Sequence, residues 1–271
     1  MTSGFLARLQ RWFTKPPAQP VGGLHARGST SEPVYERTPR PTVGVDWQAP
    51  TVPAPAGLIH VDDVGPIRLV VGTRFSIGAD GDLPLGPEGA GLLAGMVLQT
   101  SLQAGARWVL VPLADAPLSV DGAPLAGPTT IGDGDRIEFD DGTSLRVLAP
   151  DPASAALLLE LPEGRDDFGA RRAALVPGGV QGRLVIGSGP RSHVRVETLD
   201  GELDLVHEAG RIVLRVRAGS SLGQADTSFD FPSALLQHVD VGPRRGARPP
   251  FGVALGPLDP ERPAFMRVDR A

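Results

Sequence analysis

The stretch Ile131-Gly-Asp-Gly-Asp-Arg-Ile-Glu-Phe139 sits between Val120-Asp-Gly122 and Asp141-Gly-Thr-Ser-Leu-Arg-Val-Leu148. It sets strand-like runs (Arg136–Phe139, Ser144–Leu148) against hairpin-type turn pairs (Asp121-Gly122, Asp141-Gly142). Asp-Gly suits such turns because both residues tolerate a left-handed backbone. The same grammar extends outward in both directions. Ile67-Arg-Leu-Val-Val71, Met96–Leu102, Arg107–Leu113 and Arg211-Ile-Val-Leu-Arg-Val216 are further β-prone runs, separated by Gly, Pro and Asp. Segments with helical period are scarce from Leu58 onward. The sequence therefore predicts an all-β body of sandwich or barrel type.

The chain has 271 residues, long enough for two domains. Its 35 glycines and 28 prolines are about twice ordinary usage, which predicts both linker and turn-rich structure. Without cysteine there can be no disulfide, thiolate metal site or cysteine nucleophile. Lys15 is the single lysine and asparagine is absent, so lysine chemistry has almost no material. A formal net charge of −5 argues against nucleic acid as a partner. No run approaches the roughly 18 apolar residues of a membrane span, and no apolar signal core opens the chain, so a cytoplasmic location is expected.

Residues 1–15 read as a short amphipathic helix ended by Pro16-Pro17. Phe5, Leu6, Leu9, Trp12 and Phe13 share one face, with Arg8, Arg11 and Lys15 off it. That apolar face needs a cover, for which a membrane surface, a partner's groove and the protein's own body are the candidates. Residues 16–57 carry nine prolines with little apolar periodicity and read as an extended or disordered tether. Tyr35 and Trp47 are its possible docking points, although isolated linker aromatics ordinarily have no role.

The body repeats itself. Arg74-Phe-Ser-Ile-Gly78 and Arg183-Leu-Val-Ile-Gly187 share Arg-x-x-Ile-Gly, and Gly105-Ala-Arg-Trp-Val-Leu110 has its partner in Gly210-Arg-Ile-Val-Leu214. Two landmarks in one order with nearly equal spacing predict two related domains, 58–150 and 153–260, with a tail at 261–271.

These landmarks resemble the forkhead-associated (FHA) domain, an eleven-strand β-sandwich that binds phosphothreonine peptides. Gly72–Gly78 followed by Asp82-Leu-Pro-Leu85 resembles its early strand and short acidic strand, and Trp108-Val-Leu110 its middle strand. Val120-Asp-Gly122 with Ile131–Phe139 is similar to its late Val-Asn-Gly and Gly-Asp segment, with Asp in place of Asn. In the second domain Ile186-Gly187, His193-Val-Arg-Val196 and Arg211–Val216 fit the same scheme more loosely.

The resemblance implies a phosphate-gripping Arg directly after Ile-Gly, a Ser-Arg-x-His loop and a later Asn. This chain has Ala79 and Ser188 at the first position. Gly89–Gly95 lacks all three loop residues, and Glu197–Glu202 offers only Thr198. Phosphate capture needs charge-assisted donors held in place. The remaining candidates are Arg191, Ser192 and Arg195, beside the second Ile-Gly turn; a solvated turn is their ordinary reading.

Gly187-Ser-Gly-Pro-Arg-Ser192 lacks the following helix that a nucleotide loop requires. Asp133, Asp135, Asp140 and Asp141 lack calcium-loop spacing, and the five histidines lack metal-ligand spacing. Ser220, Ser221 and Asp226 near His238 have no nucleophile elbow. Arg244-Arg-Gly-Ala-Arg248 is ordinarily a solvated loop and, in the sharper reading, a site for an acidic partner or phosphate. No cofactor, metal or catalytic residue is expected. The sequence reads as a non-catalytic adaptor of two degenerate FHA-like sandwiches, docked by its N-terminal helix. The alternative is a phosphopeptide-recognition module in Ser/Thr-kinase signalling.

Overall fold

A computed structural model describes residues 40–45, 47–48, 52–85, 91–101, 105–113, 117–162, 170–179, 181–217, 226–232, 237–242 and 251–256. All belong to one unit, Arg37–Ala271. The helix expected over 1–15, most of the tether and the tail 261–271 lie outside the described residues.

The described body is all-β. A first hairpin, β1 (Ala56–Val61) and β2 (Gly65–Val71), leads into β3 (Arg74–Gly78), β4 (Leu92–Ser101) and β5 (Gly105–Pro112). Then come β6 (Leu118–Val120), β7 (Ala123–Pro124), β8 (Thr129–Ile131), β9 (Arg136–Phe139) and β10 (Ser144–Leu148). A second hairpin, β11 (Leu157–Glu160) and β12 (Arg172–Val176), opens the second half. It is followed by β13 (Leu184–Gly187), β14 (Val194–Arg195), β15 (Glu202–Glu208) and β16 (Arg211–Val216). The last strands are β17 (Thr227–Asp230), β18 (Gln237–Gly242) and β19 (Phe251–Gly256). Asp121 and Gly122 both take positive φ, as the β6–β7 turn requires, and Ala209-Gly210 do the same between β15 and β16.

Three sheets result. One has ten strands in the order β18-β19-β1-β2-β12-β11-β10-β9-β6-β7. A four-stranded sheet runs β3-β4-β5-β8, and a five-stranded sheet runs β14-β13-β15-β16-β17. The small sheets pack on opposite faces of the large one. Phe75, Ile77, Met96, Trp108 and Leu110 of the four-stranded sheet share a core with Val120, Ile137, Leu145, Leu157, Leu159 and Leu175. Ile186, Leu203, Leu205, Ile212 and Phe229 of the five-stranded sheet share another with Ile59, Leu69, Leu158, Val176 and Phe251.

The central strands are thus buried on both faces, with alternate residues serving opposite cores. Leu157 and Leu159 point one way and Leu158 the other; Leu175 and Val176 divide in the same manner. This explains the unbroken apolar runs Leu157-Leu-Leu159 and Ala173-Ala-Leu-Val176, since a strand wetted on one face would alternate.

The two expected domains, 58–150 and 153–260, contribute strands to one shared sheet. The two halves exchange hairpins. β11 pairs with β10, the last strand of the first half, while β1 pairs with β19, the last strand of the second. A parallel pairing of β2 with β12 joins the halves into one sheet. Writing β11 for β1, β12 for β2, β18 for β9 and β19 for β10, and the reverse, turns the central order β18-β19-β1-β2-β12-β11-β10-β9 into itself read backwards. The expected boundary falls between two adjacent strands of a continuous sheet.

The Pro-rich tether, expected to be extended or disordered over 16–57, is described only in its last part. Its end is ordered. β1 begins at Ala56, and residues 40–45 and 47–48 lie against the four-stranded sheet.

Candidate peptide-docking face

The face of the four-stranded sheet turned away from the core should be wet, yet it is not. On β4 and β5, Ala94, Met96, Trp108 and Leu110 point inward, so Gly95, Val97, Val109 and Val111 point outward. Val109 is nevertheless fully buried, and Val97 and Val111 keep only 8% and 6% exposure. The cover is the chain's own segment: Val43, Val45 and Trp47 pack on these valines together with Leu113. Spacing by two puts the three side chains on one side of an extended backbone, which leaves Thr42 and Gly44 to solvent.

Three further contacts set the position of this strap. Arg40 donates from Nη1 to Asp135 Oδ2 and from Nη2 to Asp135 Oδ1, each at 2.9 Å, and also pairs with Asp121. The forked guanidinium meets both oxygens of one carboxylate, the geometry in which arginine is most selective. Asp135 is itself fixed by the Gly132 N–H at 2.8 Å, and Asp121 by the Arg136 N–H at 3.0 Å. The Asp-rich turns of the sequence thus present two oriented carboxylates. The Val43 N–H donates to the Pro128 carbonyl at 2.7 Å. At the other end Trp47 lies over Gly95. A Cβ there would stand 2.6 Å from Cε2 of the indole and closer still to Cζ2, so only glycine leaves room for the ring.

The second half was the expected place for an anion, and the structure does not gather its candidates. Ser192 is buried, and its hydroxyl faces Glu202 Oε1 at 3.4 Å. Arg195 is exposed, 3.9 Å from Glu197. Arg191 is exposed as well. The Glu202 carboxylate occupies the space that a Cβ at Gly189 would take. In the first half, the Ala79 N–H is taken by the Gly91 carbonyl at 3.0 Å.

What the sequence missed here is an ion cluster beneath this turn. Asp151, 2% exposed, accepts from Arg183 at 3.1 Å and Arg217 at 3.3 Å. Arg217 also bonds Glu202 at 2.8 Å and stands 2.8 Å from Asp204 Oδ1, a close ion pair without a formed hydrogen bond. Burial works to raise the Asp151 carboxyl, but the Ala153 N–H and the two guanidiniums outweigh it and hold the group below its ordinary range. Burial leaves Asp204 above its ordinary range, against the pull of Arg217 and Arg183. The arginines are occupied by their own carboxylates, so the cluster serves the fold.

His193 is buried and neutral. Its Nδ1 accepts the Val185 N–H at 3.1 Å, so Nε2 carries the proton and donates to the Ala156 carbonyl, also at 3.1 Å. Burial, only partly offset by the Ala156 carbonyl and the charge of Asp151, lowers its pKa to about 4. Among the described residues no cluster of His, Asp and Glu could hold a metal ion. Nor is any described helix long and apolar enough to cross a membrane.

No protein-family model matches the chain, and no curated protein matches it. Among solved structures it is similar to the Slr1951 protein from Synechocystis sp., at 19% identity over 34% of this chain and 93% of that one. The TM-score of 0.26 is too low for that likeness to carry an argument.

Proposed function

We propose that the chain is a non-catalytic adaptor that binds protein partners through its β-sheet body, built from two degenerate FHA-like halves. The observation that carries this reading is the outer face of β4 and β5, where an apolar strip, a glycine notch and two oriented carboxylates hold an extended peptide segment. A surface that binds an extended segment of its own chain has the chemistry to bind one from another protein. In this reading residues 1–15, with Phe5, Leu6, Leu9, Trp12 and Phe13 on one face, anchor the body to a partner or a membrane surface. The phosphopeptide alternative through Arg191, Ser192 and Arg195 is weaker, because the carboxylate of Glu202 already faces that turn.

Site-specific photo-crosslinking in the native host tests the reading. A crosslinking residue at Arg107, exposed on the outer face of β5, should capture one recurrent protein. The same residue at Arg146, exposed on β10, should not. Equal capture at both positions, or none at Arg107, would contradict it.

A further inference from the structure

We propose that the strap, residues 40–45 with 47–48, is a resident ligand, and that the partner of this face presents an extended segment of the same chemistry. That segment carries an arginine, β-branched apolar residues three and five positions later, and a tryptophan at the seventh. The proposal rests on the adaptor reading and adds to it the identity of the occupant and the way the site is regulated.

Three observations define the occupant. Asp135 is held by the Gly132 N–H of its own turn and Asp121 by the Arg136 N–H of the neighbouring strand β9, so the acidic end is set in the sheet whether or not Arg40 is present. The strip of Val97, Val109 and Val111 accepts side chains of one parity and leaves the other parity to solvent. The Gly95 notch admits a flat ring, because a Cβ at that position would overlap the indole. An arginine fork, two small branched side chains and a planar ring meet these three features in sequence.

The manner of attachment makes the occupant replaceable. Among the described residues the strap forms no ladder with the sheet: it crosses the face of β4 and β5, whose strand edges are already paired with each other, with β3 and with β8. Its hold comes from side chains, from the Val43 N–H and from the Gln48 carbonyl, which accepts from Arg74 Nη1 at 3.4 Å. Ordering its backbone cancels much of what those half-buried side chains gain, so a competing segment of similar chemistry can take its place. A tethered segment has a high effective concentration at its own site, which keeps the face closed until a partner segment is abundant or binds better.

The test uses the full chain and a fluorophore-labelled synthetic peptide with the sequence of residues 38–49. Wild type should bind this probe weakly. The Arg40→Ala, Trp47→Ala double variant, which loses both anchors of the strap, should stay folded by circular dichroism and bind the probe at least tenfold more tightly. Adding Gly95→Ala to that variant should abolish the gain by filling the notch. The proposal is overturned if the double variant unfolds, because the segment is then core and not ligand. It is equally overturned if affinity is the same in wild type and variant, if binding survives Gly95→Ala, or if wild type runs as a dimer through exchanged straps. Failure here together with capture at Arg107 would leave the adaptor reading standing and remove only the resident ligand.

Discussion

Asp82 and His193 occupy equivalent places with different chemistry. Each precedes a short stretch that pairs in parallel with the preceding strand, Leu83 with Ile77 and Val194 with Ile186. Asp82 accepts the Ser76 N–H at 2.9 Å, and His193 accepts the Val185 N–H at 3.1 Å. An imidazole does this only while neutral, and its folded pKa of about 4 lies below the ordinary 6.5. The unfolded chain therefore binds the extra proton first. The stabilisation is complete above about pH 6.5 and is lost as pH falls toward 4, for a total of about 3 kcal/mol. Urea unfolding at pH 7, 6 and 5 should show this slope, and His193→Gln should flatten it to the smaller share of His207, which burial also lowers. An unchanged slope in the variant would refute the assignment. Asp151→Ala should cost about 2–4 kcal/mol at pH 7, since it leaves Arg183 and Arg217 half-buried without their shared carboxylate. A thermal melt within a degree of wild type would contradict that.

At the scale of elements, what the sequence made legible was local. The turns at Asp121-Gly122 and Asp141-Gly142, the strands about Ile137 and Leu145, and the repeated Arg-x-x-Ile-Gly all concern neighbours in the chain. The exchange of hairpins was not legible, because β1–β2 and β11–β12 carry similar apolar runs and either pair could extend either half. The outcome depends on contacts far apart in sequence, such as Leu58 opposite Gly256. The strap was hidden for another reason. Nine prolines dominate the composition of 16–57, while the spacing of Val43, Val45 and Trp47 is a pattern of only three residues. Gly95, inside an otherwise apolar strand, was its one complementary signal. Ala79 and Ser188 after the two Ile-Gly pairs were readable, but the carboxylate of Glu202 in the second turn was not, because it comes from a different strand. Trp108 links the halves: its Nε1–H donates to the Ala155 carbonyl at 2.8 Å, just before β11. Trp108→Phe removes that bond and leaves a cavity where a buried indole gives way to a smaller phenyl ring, so it should lower unfolding free energy by about 2–4 kcal/mol in denaturant titration.

For the whole molecule, the exchange makes each half dependent on the other. Residues 1–150 lack the β11–β12 hairpin that covers β10, and residues 151–271 lack the β1–β2 hairpin that covers β19. Expressed alone, neither piece should give a folded monomer by size-exclusion chromatography and circular dichroism. Co-expressed, they should form a one-to-one complex with a cooperative melt. Two independently folded pieces would contradict the exchange. In the proposed adaptor, the outer face of β4 and β5 belongs to a body whose halves share one continuous sheet. The claim that matters most is that Trp47 sits on that face at rest, over the Gly95 notch. Fluorine NMR of the chain labelled with 5-fluorotryptophan reads it directly, since the chain has three tryptophans and Trp47→Phe assigns the resonance in question. The Trp47 signal should be shifted from that of free peptide, and Gly95→Ala should move it to the free-peptide position while the Trp108 signal stays in place. A Trp47 signal at the free-peptide position in wild type, or one that Gly95→Ala leaves unmoved, would contradict it.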